Sequence, residues 1–543
     1  MSKKHTLTDY DPVVPSSRAR GGRAADGGPE EVWPREGVRA SVARATAAEE
    51  DDAAFRNSRA ETPSPEETAP ISSIPPRHTF KRGHAFSYAG LFLFTLVLYF
   101  RPYELIPALS GLTSIAYWLA VLTLLVFLPS QLISEGNLTA RPREVNLVFL
   151  LCLAALISIP LAINPGEAWD TFNYPFIRAV AMFIVIVNVV NTPLRLKGLM
   201  WLGLAVGAFL SVGAINDYRV GRLALEGARV AGLVGGMFGN PNDLALHLVM
   251  MIPLAVGLLL STRNVLAKPL YALCALVMVG GVMASFSRGG FLGLLGACAV
   301  LAWKLGRRNR FLMIILVGAF IVALVALAPG EYTSRLGTIG SVEGDASSSS
   351  RKDLLVRSIM VAIANPVFGV GMGNFHIVSI RELVSHNSYT QVASEMGIAA
   401  MVIYIMFLVV PLRRLRAIEQ ATFATRKGSR LYYLSVALQA SLVAFMISSF
   451  FGSVAYQFYL YYLVGYAICL RRLYEAEAGH KVVLQKKKRQ QQGEAVQNAW
   501  DAAPAPEPHG DPSFDASSED TAAEEEDRRR QGRQATALGQ TAH

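Results

Sequence analysis

Between about residue 83 and residue 475 the chain alternates long apolar stretches with short polar connections. The apolar stretches fall near 86–107, 112–133, 145–163, 176–190, 198–215, 244–261, 268–285, 289–305, 311–328, 393–411, 431–451 and 454–471. About twenty apolar residues in a helix span the hydrocarbon core of a bilayer, and a backbone group left unpaired there costs several kcal/mol. The pattern predicts an all-α polytopic membrane protein with about 12 transmembrane helices. The connection 329–392, between the ninth and tenth stretches, is by far the longest. Within it GDASSSS (344–350) reads as mobile, whereas 351–370 spaces Leu354, Leu355, Ile359, Ala362 and Ile363 as on one face of a helix. That spacing predicts a short amphipathic helix on the membrane surface.

Outside this region the pattern stops. Residues 1–82 and 476–543 are rich in Arg, Glu, Ala, Pro and Ser, so both are predicted to be disordered tails, unable to bury enough apolar surface to offset chain entropy. Hydrophobic residues make up 52% and charged residues 17% of the whole, figures that blur this contrast because the charge gathers at the ends. The formal net charge of +10 could point to nucleic acid, but most of the positive charge flanks apolar segments, which argues for membrane topology and against a nucleic-acid partner.

The same charges set the orientation. On one side the connections carry Arg141, Arg143, Arg195, Lys197, Arg263, Lys268, Lys304, Arg307, Arg308, Arg310, Arg413, Arg414, Arg416, Arg426, Lys427 and Arg430. The short loops of the opposite side carry only Arg101, Arg219, Arg222, Arg229 and Arg288. Sixteen against five makes the rich side cytoplasmic, with both termini inside and the long loop outside. No apolar run follows MSKKHTLTDYDP within a signal peptide's length, so the first apolar segment is expected to serve as its own insertion signal. Cys152, Cys274, Cys298 and Cys469 all fall inside apolar stretches and read as small core residues rather than a disulfide framework or metal site.

A few residues resist a purely structural reading. Arg288, in SFSRGG, sits at a tight turn on the side where cations are disfavoured. An arginine taken deep costs roughly 2.5–3.5 kcal/mol, so it either snorkels to the headgroups or has work to do. Arg229 precedes the glycine-rich GLVGGMFGNPN, where an exposed arginine needs no special cause. His386, in SHNSY, could move a proton near neutrality or simply neighbour a helix start. His247 reads as a packed membrane histidine. GVGMGNF (369–375) looks like a phosphate loop but follows no strand and lacks the Walker lysine, so nucleotide binding is rejected. Asp9 with Asp11, and Glu343 with Asp345, make no convincing metal site.

FGNPND (238–243), SRGG (287–290), NPVFGVGMGNF (365–375) and HNSYTQVASEMG (386–397) follow one another in the order and spacing of the O-antigen ligase superfamily, which the chain resembles over roughly 200–410. That superfamily includes O-antigen ligases, O-antigen and exopolysaccharide polymerases and bacterial protein O-oligosaccharyltransferases. The resemblance implies an enzyme of the bacterial inner membrane. It would move a glycan from undecaprenyl pyrophosphate to lipid A-core, another glycan or a protein, at the periplasmic face, with neither cofactor nor metal. It implies that Arg288 grips the pyrophosphate with Arg229 as companion and Arg351 as a further contact, and that His386 activates the acceptor or assists the phosphate. A guanidinium pair suits a dianionic leaving group, since bidentate contacts supply orientation as well as charge. Membrane lipids are the other expected partners. Two further readings stay open: a transporter of a lipid-linked sugar or anion, against which no internal repeat is visible, and an envelope scaffold, which leaves Arg288 and His386 without a role.

Overall fold

The apolar stretches fold as helices in the computed structural model, which describes residues 83–222, 230, 233–307, 310–311, 315, 318–319, 322, 346–426 and 429–501. Helices α1 (Ala85–Phe100), α2 (Ile115–Glu135) and α3 (Arg143–Ser158) come first. They are followed by α4 (Pro165–Thr171), α5 (Ile177–Val189), α6 (Pro193–Arg219), α7 (Pro241–Ser261), α8 (Ala267–Ala284) and α9 (Arg288–Leu305). After the long connection come α10 (Ala346–Ala364), α11 (Ser388–Met396), α12 (Ile398–Thr422), α13 (Arg430–Ser448) and α14 (Phe458–Asp501). Among the described residues there are no strands.

Nine helices among the described residues are long and apolar enough to cross a membrane. Three predicted segments are not among the nine. The third stretch forms a helix of 16 residues, Arg143–Ser158. The 311–328 segment lies largely outside the described residues. The last stretch opens α14, tyrosine-rich over 459–466 and charged from Arg471, and this helix runs on to Asp501. Residues 476–501, predicted as the start of a disordered tail, are helical instead, continuing α14; residues 1–82 and 502–543, and 329–345 of the long loop, lie outside the described residues.

Two helices form the centre. α7 and α13 bury residues around nearly their whole circumference, as a helix apolar on all sides must. They pack on each other and share α9 as a neighbour. Small residues let the backbones close in: a side chain on Gly257 would meet Ala437, and one on Gly293 would meet the Ser448 hydroxyl. In lipid, such close approach supplies the dispersion contact that water exclusion supplies elsewhere. Around this centre α8 joins α6 and α7, α12 joins α3 and α13, and α14 joins α5.

The cation-rich connections gather at one end of the bundle. There the fully buried Glu419 carboxylate accepts from Lys304, from Arg307 at 2.7 Å and from the Gln439 amide at 3.1 Å, fastening α9, α12 and α13 together. Arg195 spans from the Gly83 carbonyl (3.0 Å) to the Val189 carbonyl (2.9 Å) and the Asn191 side chain (3.0 Å). The four sequence motifs lie at the other end.

The long loop contains a helix where one was predicted, but it starts at Ala346, within the run read as mobile, and ends at Ala364 before Asn365-Pro366 rather than at 370; of the predicted face, Ile359 and Ile363 are exposed. Its Leu354, Ser358, Val361 and Ala362 are buried and it packs on α11, while Val356, Ile359, Met360 and Ile363 stay exposed. The stretch read as one helix over 393–411 is broken. Gly397, at φ 92°, separates α11 from α12, because the 366–371 backbone crosses there too closely for a side chain.

Candidate functional site

Arg288 is the first residue of α9, and its position is over-determined by its neighbours. Phe286 takes a left-handed conformation, φ 53°, that reverses the chain after α8. The Ser287 hydroxyl then accepts from the Gly290 N–H at 3.2 Å, capping α9, and donates to Asn242 Oδ1 at 2.9 Å. Asn242 belongs to FGNPND, where Asn240 caps α7 by accepting from the Asn242 N–H at 2.9 Å. A side chain on Gly290 would stand 2.5 Å from the Ala245 Cβ, and one on Gly289 would stand 2.8 Å from the Phe451 Cβ. SRGG and FGNPND are thus one packed corner, with the half-buried Arg288 at its edge.

His386 is placed by a comparable device. It adopts φ 52°, a left-handed conformation uncommon outside glycine, though histidine tolerates it better than most. The flanking residues hold it: the Ser385 hydroxyl donates to the Asn387 carbonyl at 2.9 Å, and the Asn387 side chain caps α11 by accepting from the N–H groups of Tyr389 (2.9 Å) and Thr390 (3.1 Å). Burial pushes the His386 pKa below the usual imidazole value, and the Arg351 guanidinium adds to the effect. His386 is therefore neutral at neutral pH, with a cation nearby.

The two corners meet on the last turn of α13 and the segment that follows it. The Ser448 hydroxyl donates to the Gly289 carbonyl at 3.1 Å, and the Tyr389 hydroxyl to the Met446 carbonyl at 2.9 Å. The Ser388 hydroxyl donates to the Gly452 carbonyl (2.7 Å) and accepts from the Val454 N–H (2.9 Å), while the Ser385 and Ser453 hydroxyls lie 3.1 Å apart. Residues 446–454 act as a strap that registers Arg288 against His386. Sequence reasoning missed it. The polar interruption SSFFGS (448–453), between two apolar stretches, was the available signal.

GVGMGNF also has an acceptor for its N–H groups, supplied by the chain itself. Gly369, Gly371 and Gly373 all have positive φ, which turns the loop around the end of α11. The Val370 N–H donates to the Ser394 carbonyl (2.8 Å) and the Gly371 N–H to the Glu395 carbonyl (2.9 Å). The Glu395 carboxylate accepts from the Gly373 N–H at 3.0 Å and the Tyr456 hydroxyl at 2.7 Å. Successive N–H groups in such a loop make an anion-binding concavity, here filled by a buried side chain. On its outer side His376 approaches Glu167 (3.3 Å), and the Asn374 side chain accepts from the Asn164 N–H (2.6 Å).

Burial pushes the Glu395 pKa up to about 7, against the pull of Tyr456 and the backbone donors. The folded value lies above the unfolded one, so the associated stability is full below about pH 4.5 and is lost as pH rises through about 7. The loss amounts to roughly 3 kcal/mol. Glu395→Gln removes the titration. Thermal unfolding in detergent at about pH 5 and about pH 8 should show wild type losing ground to the glutamine variant at the higher pH. A difference between the two proteins that does not change with pH would contradict this.

Of the residues predicted from sequence, Arg288, His386 and Arg351 belong to one end of the bundle, the last two as electrostatic neighbours. Arg229 lies outside the described residues. His247 is fully buried, its ring 5.4 Å from that of Tyr99 and 5.0 Å from that of Phe238. Arg101, read from sequence only as a topological exception, pairs with Glu104 at 2.9 Å, and Glu104 accepts from the Gly235 N–H at 2.6 Å. This pair braces the glycine turn that leads into FGNPND. The cysteines are free, with Cys469 buried and the others half-buried. Among the described residues no three His, Cys, Asp or Glu side chains gather as a metal-binding group.

The model of a protein family described as O-antigen ligase matches residues 273–405. The matched stretch holds SRGG, the glycine loop and HNSYTQVASEMG, and begins after FGNPND. No curated protein matches the chain.

Proposed function

Taking as premise that the chain carries a domain of the O-antigen ligase superfamily, a group of glycan-transferring ligases and polymerases, we propose that it transfers a glycan from undecaprenyl pyrophosphate to an acceptor hydroxyl. The transfer takes place at the periplasmic face of the bacterial inner membrane, and the ligase type of reaction is the first choice. The observation that carries this reading is the strap 446–454, on which the arginine corner and the histidine corner converge.

In the reaction the bond between the sugar's anomeric carbon and the pyrophosphate oxygen breaks as the acceptor oxygen bonds to that carbon. The neutral imidazole of His386 takes the acceptor's proton, a role that its lowered pKa favours over that of an acid. The pyrophosphate keeps the pair of electrons of the broken bond and leaves with one more negative charge, which Arg288 and Arg351 neutralise as it develops. Arg229 is a further candidate for the same clamp. The energy is stored in the pyrophosphate linkage, so no nucleotide is required, and a lipid tail held in the bilayer puts the reacting bond at the membrane surface. Lipid A-core, a second lipid-linked glycan and a protein hydroxyl are the acceptors this chemistry admits.

The test is transfer of a labelled glycan from its purified undecaprenyl-pyrophosphate donor, measured against pH with each acceptor class. Wild type should hold a plateau above neutrality and lose kcat/KM in acid with an apparent pKa below 6.5. Arg351→Gln removes the neighbouring cation, so this limb should move to higher pH. His386→Ala should lower the rate by about a hundred- to ten-thousand-fold and abolish the limb. An unchanged rate and limb in the alanine variant, at matched protein levels, would sink the assignment.

A further inference from the structure

At the cation-rich end, away from the motifs, two cavities adjoin. One, of about 420 Å³, opens between the starts of α6 and α13, the end of α7 and the middle of α14. Its walls are leucines (Leu194, Leu196, Leu258, Leu434, Leu470 and Leu473), with Lys197, Arg263 and Arg430 among the lining residues. The other, of about 680 Å³, shares Ser261, Arg263 and Arg430 with the first and is lined further by Thr422, Thr425, Ser429 and Glu477. Apolar and polar compartments of ligand-pocket size thus meet at a shared pair of arginines.

We propose that this double cavity binds an anionic glycerophospholipid, its acyl chain among the leucines and its phosphate between Lys197 and Arg263. The charge balance selects the headgroup. Among the described residues Glu477 is the one carboxylate lining either cavity, and it is already paired with Arg430. Lys197 and Arg263 are exposed and have no ion-pair partner among the described residues. A zwitterionic headgroup would bring a further cation into a site that already holds three, whereas phosphatidylglycerol or cardiolipin brings only negative charge. A free phosphate would satisfy the cations but leave the leucine compartment unused. Basic pockets between transmembrane helices are a recurring means of holding anionic headgroups. The donor lipid of the transfer reaction does not fit the position, since Arg288 and His386 lie at the opposite end. The lipid holds α6, α7, α13 and α14 together where their connections are short, so it acts as an annealed structural partner.

The test uses the full chain, purified in detergent and mixed with phosphatidylglycerol or phosphatidylcholine, with retained lipid counted by native mass spectrometry. Wild type should retain phosphatidylglycerol and not phosphatidylcholine, and millimolar inorganic phosphate should fail to displace it. Lys197→Gln with Arg263→Gln should weaken retention on the order of thirty-fold, from about 1 kcal/mol per cation near a headgroup. Arg141→Gln with Arg143→Gln, two exposed cations in another connection of the cation-rich set, should leave it unchanged. Equal retention of the two lipids, displacement by phosphate, full retention by the first double variant, or equal loss in the second would each overturn the proposal.

Discussion

Arg288→Lys is expected to lose about a hundred- to a thousand-fold in transfer rate, although it keeps the positive charge. One oriented contact at an oxyanion-type site is worth about 2.7–4 kcal/mol. Lysine is a point donor and lacks the planar fork that holds two phosphate oxygens at once. The corner cannot adjust to compensate. Gly289 is packed against Phe451 and Gly290 against Ala245, and the Ser287 cap fixes the first turn of α9 from below. An arginine that only snorkels, or only sets topology, would tolerate lysine at this position. The measurement is transfer from purified lipid-linked glycan in one detergent, with folding checked by monodisperse elution. Full activity in the lysine variant would remove Arg288 from the mechanism and bring back the transporter reading.

A second large effect is expected at Gly397→Ala. The residue has φ 92° and ψ 168°, a region essentially reserved for glycine, and entering it costs a side chain about 1–3 kcal/mol. The added methyl would also stand 2.6 Å from the Val367 carbonyl carbon and 2.9 Å from the Pro366 oxygen. Both are backbone atoms, so no rotamer change relieves the overlap, and overpacking adds about 1–3 kcal/mol. Relief requires the 366–371 chain to lift from α11, which would pull Gly369 and Gly373 away from Glu395 and release the helix that follows His386. Hydrogen exchange over 365–396 should rise sharply and transfer should fall with it, while α7 and α13 keep their protection. Gly479→Ala is the control, because a side chain there meets open space in a helix and should be neutral or slightly stabilising. Unaltered exchange in the Gly397 variant would show that the crossing carries no such role.

Helix identity was legible because hydrocarbon leaves the backbone no alternative, and because apolar length is a one-dimensional property of the sequence. The break at Gly397 was not. It arises from a chain crossing between residues some thirty positions apart, and the stretch 393–411 reads as one uninterrupted span across it. The site divides in the same way. Arg288 and His386 stood out as polar residues at conspicuous places along the chain. Glu395 did not, since a glutamate at the edge of an apolar run looks like an interface residue until the donors of Gly373 and Tyr456 are brought to it. The glycine loop looked like a phosphate loop that nothing else in the sequence supported, and the sequence did not show that the carboxyl group it holds lies some twenty residues downstream in the same chain. Arg101 was discounted as a stray charge because Glu104 and the Gly235 turn meet only in three dimensions.

The strap at 446–454 separates the alignment of the two corners from the length of chain that divides them. Arg288 and His386 are joined in sequence by α9, the long loop and α10, yet each is fixed in space by hydrogen bonds to one short segment near the C-terminal end of the bundle. The connection between α9 and α10 can then lengthen or shorten without moving either corner. The opposite holds for α13. One residue added before Ser448 would turn the strap by about 100° on the helix axis and carry both corners out of register together. The tolerance for variation and the intolerance of it are thereby placed in different parts of the chain: length is free to drift between α9 and α10, while alignment is set by the phase of a single buried helix.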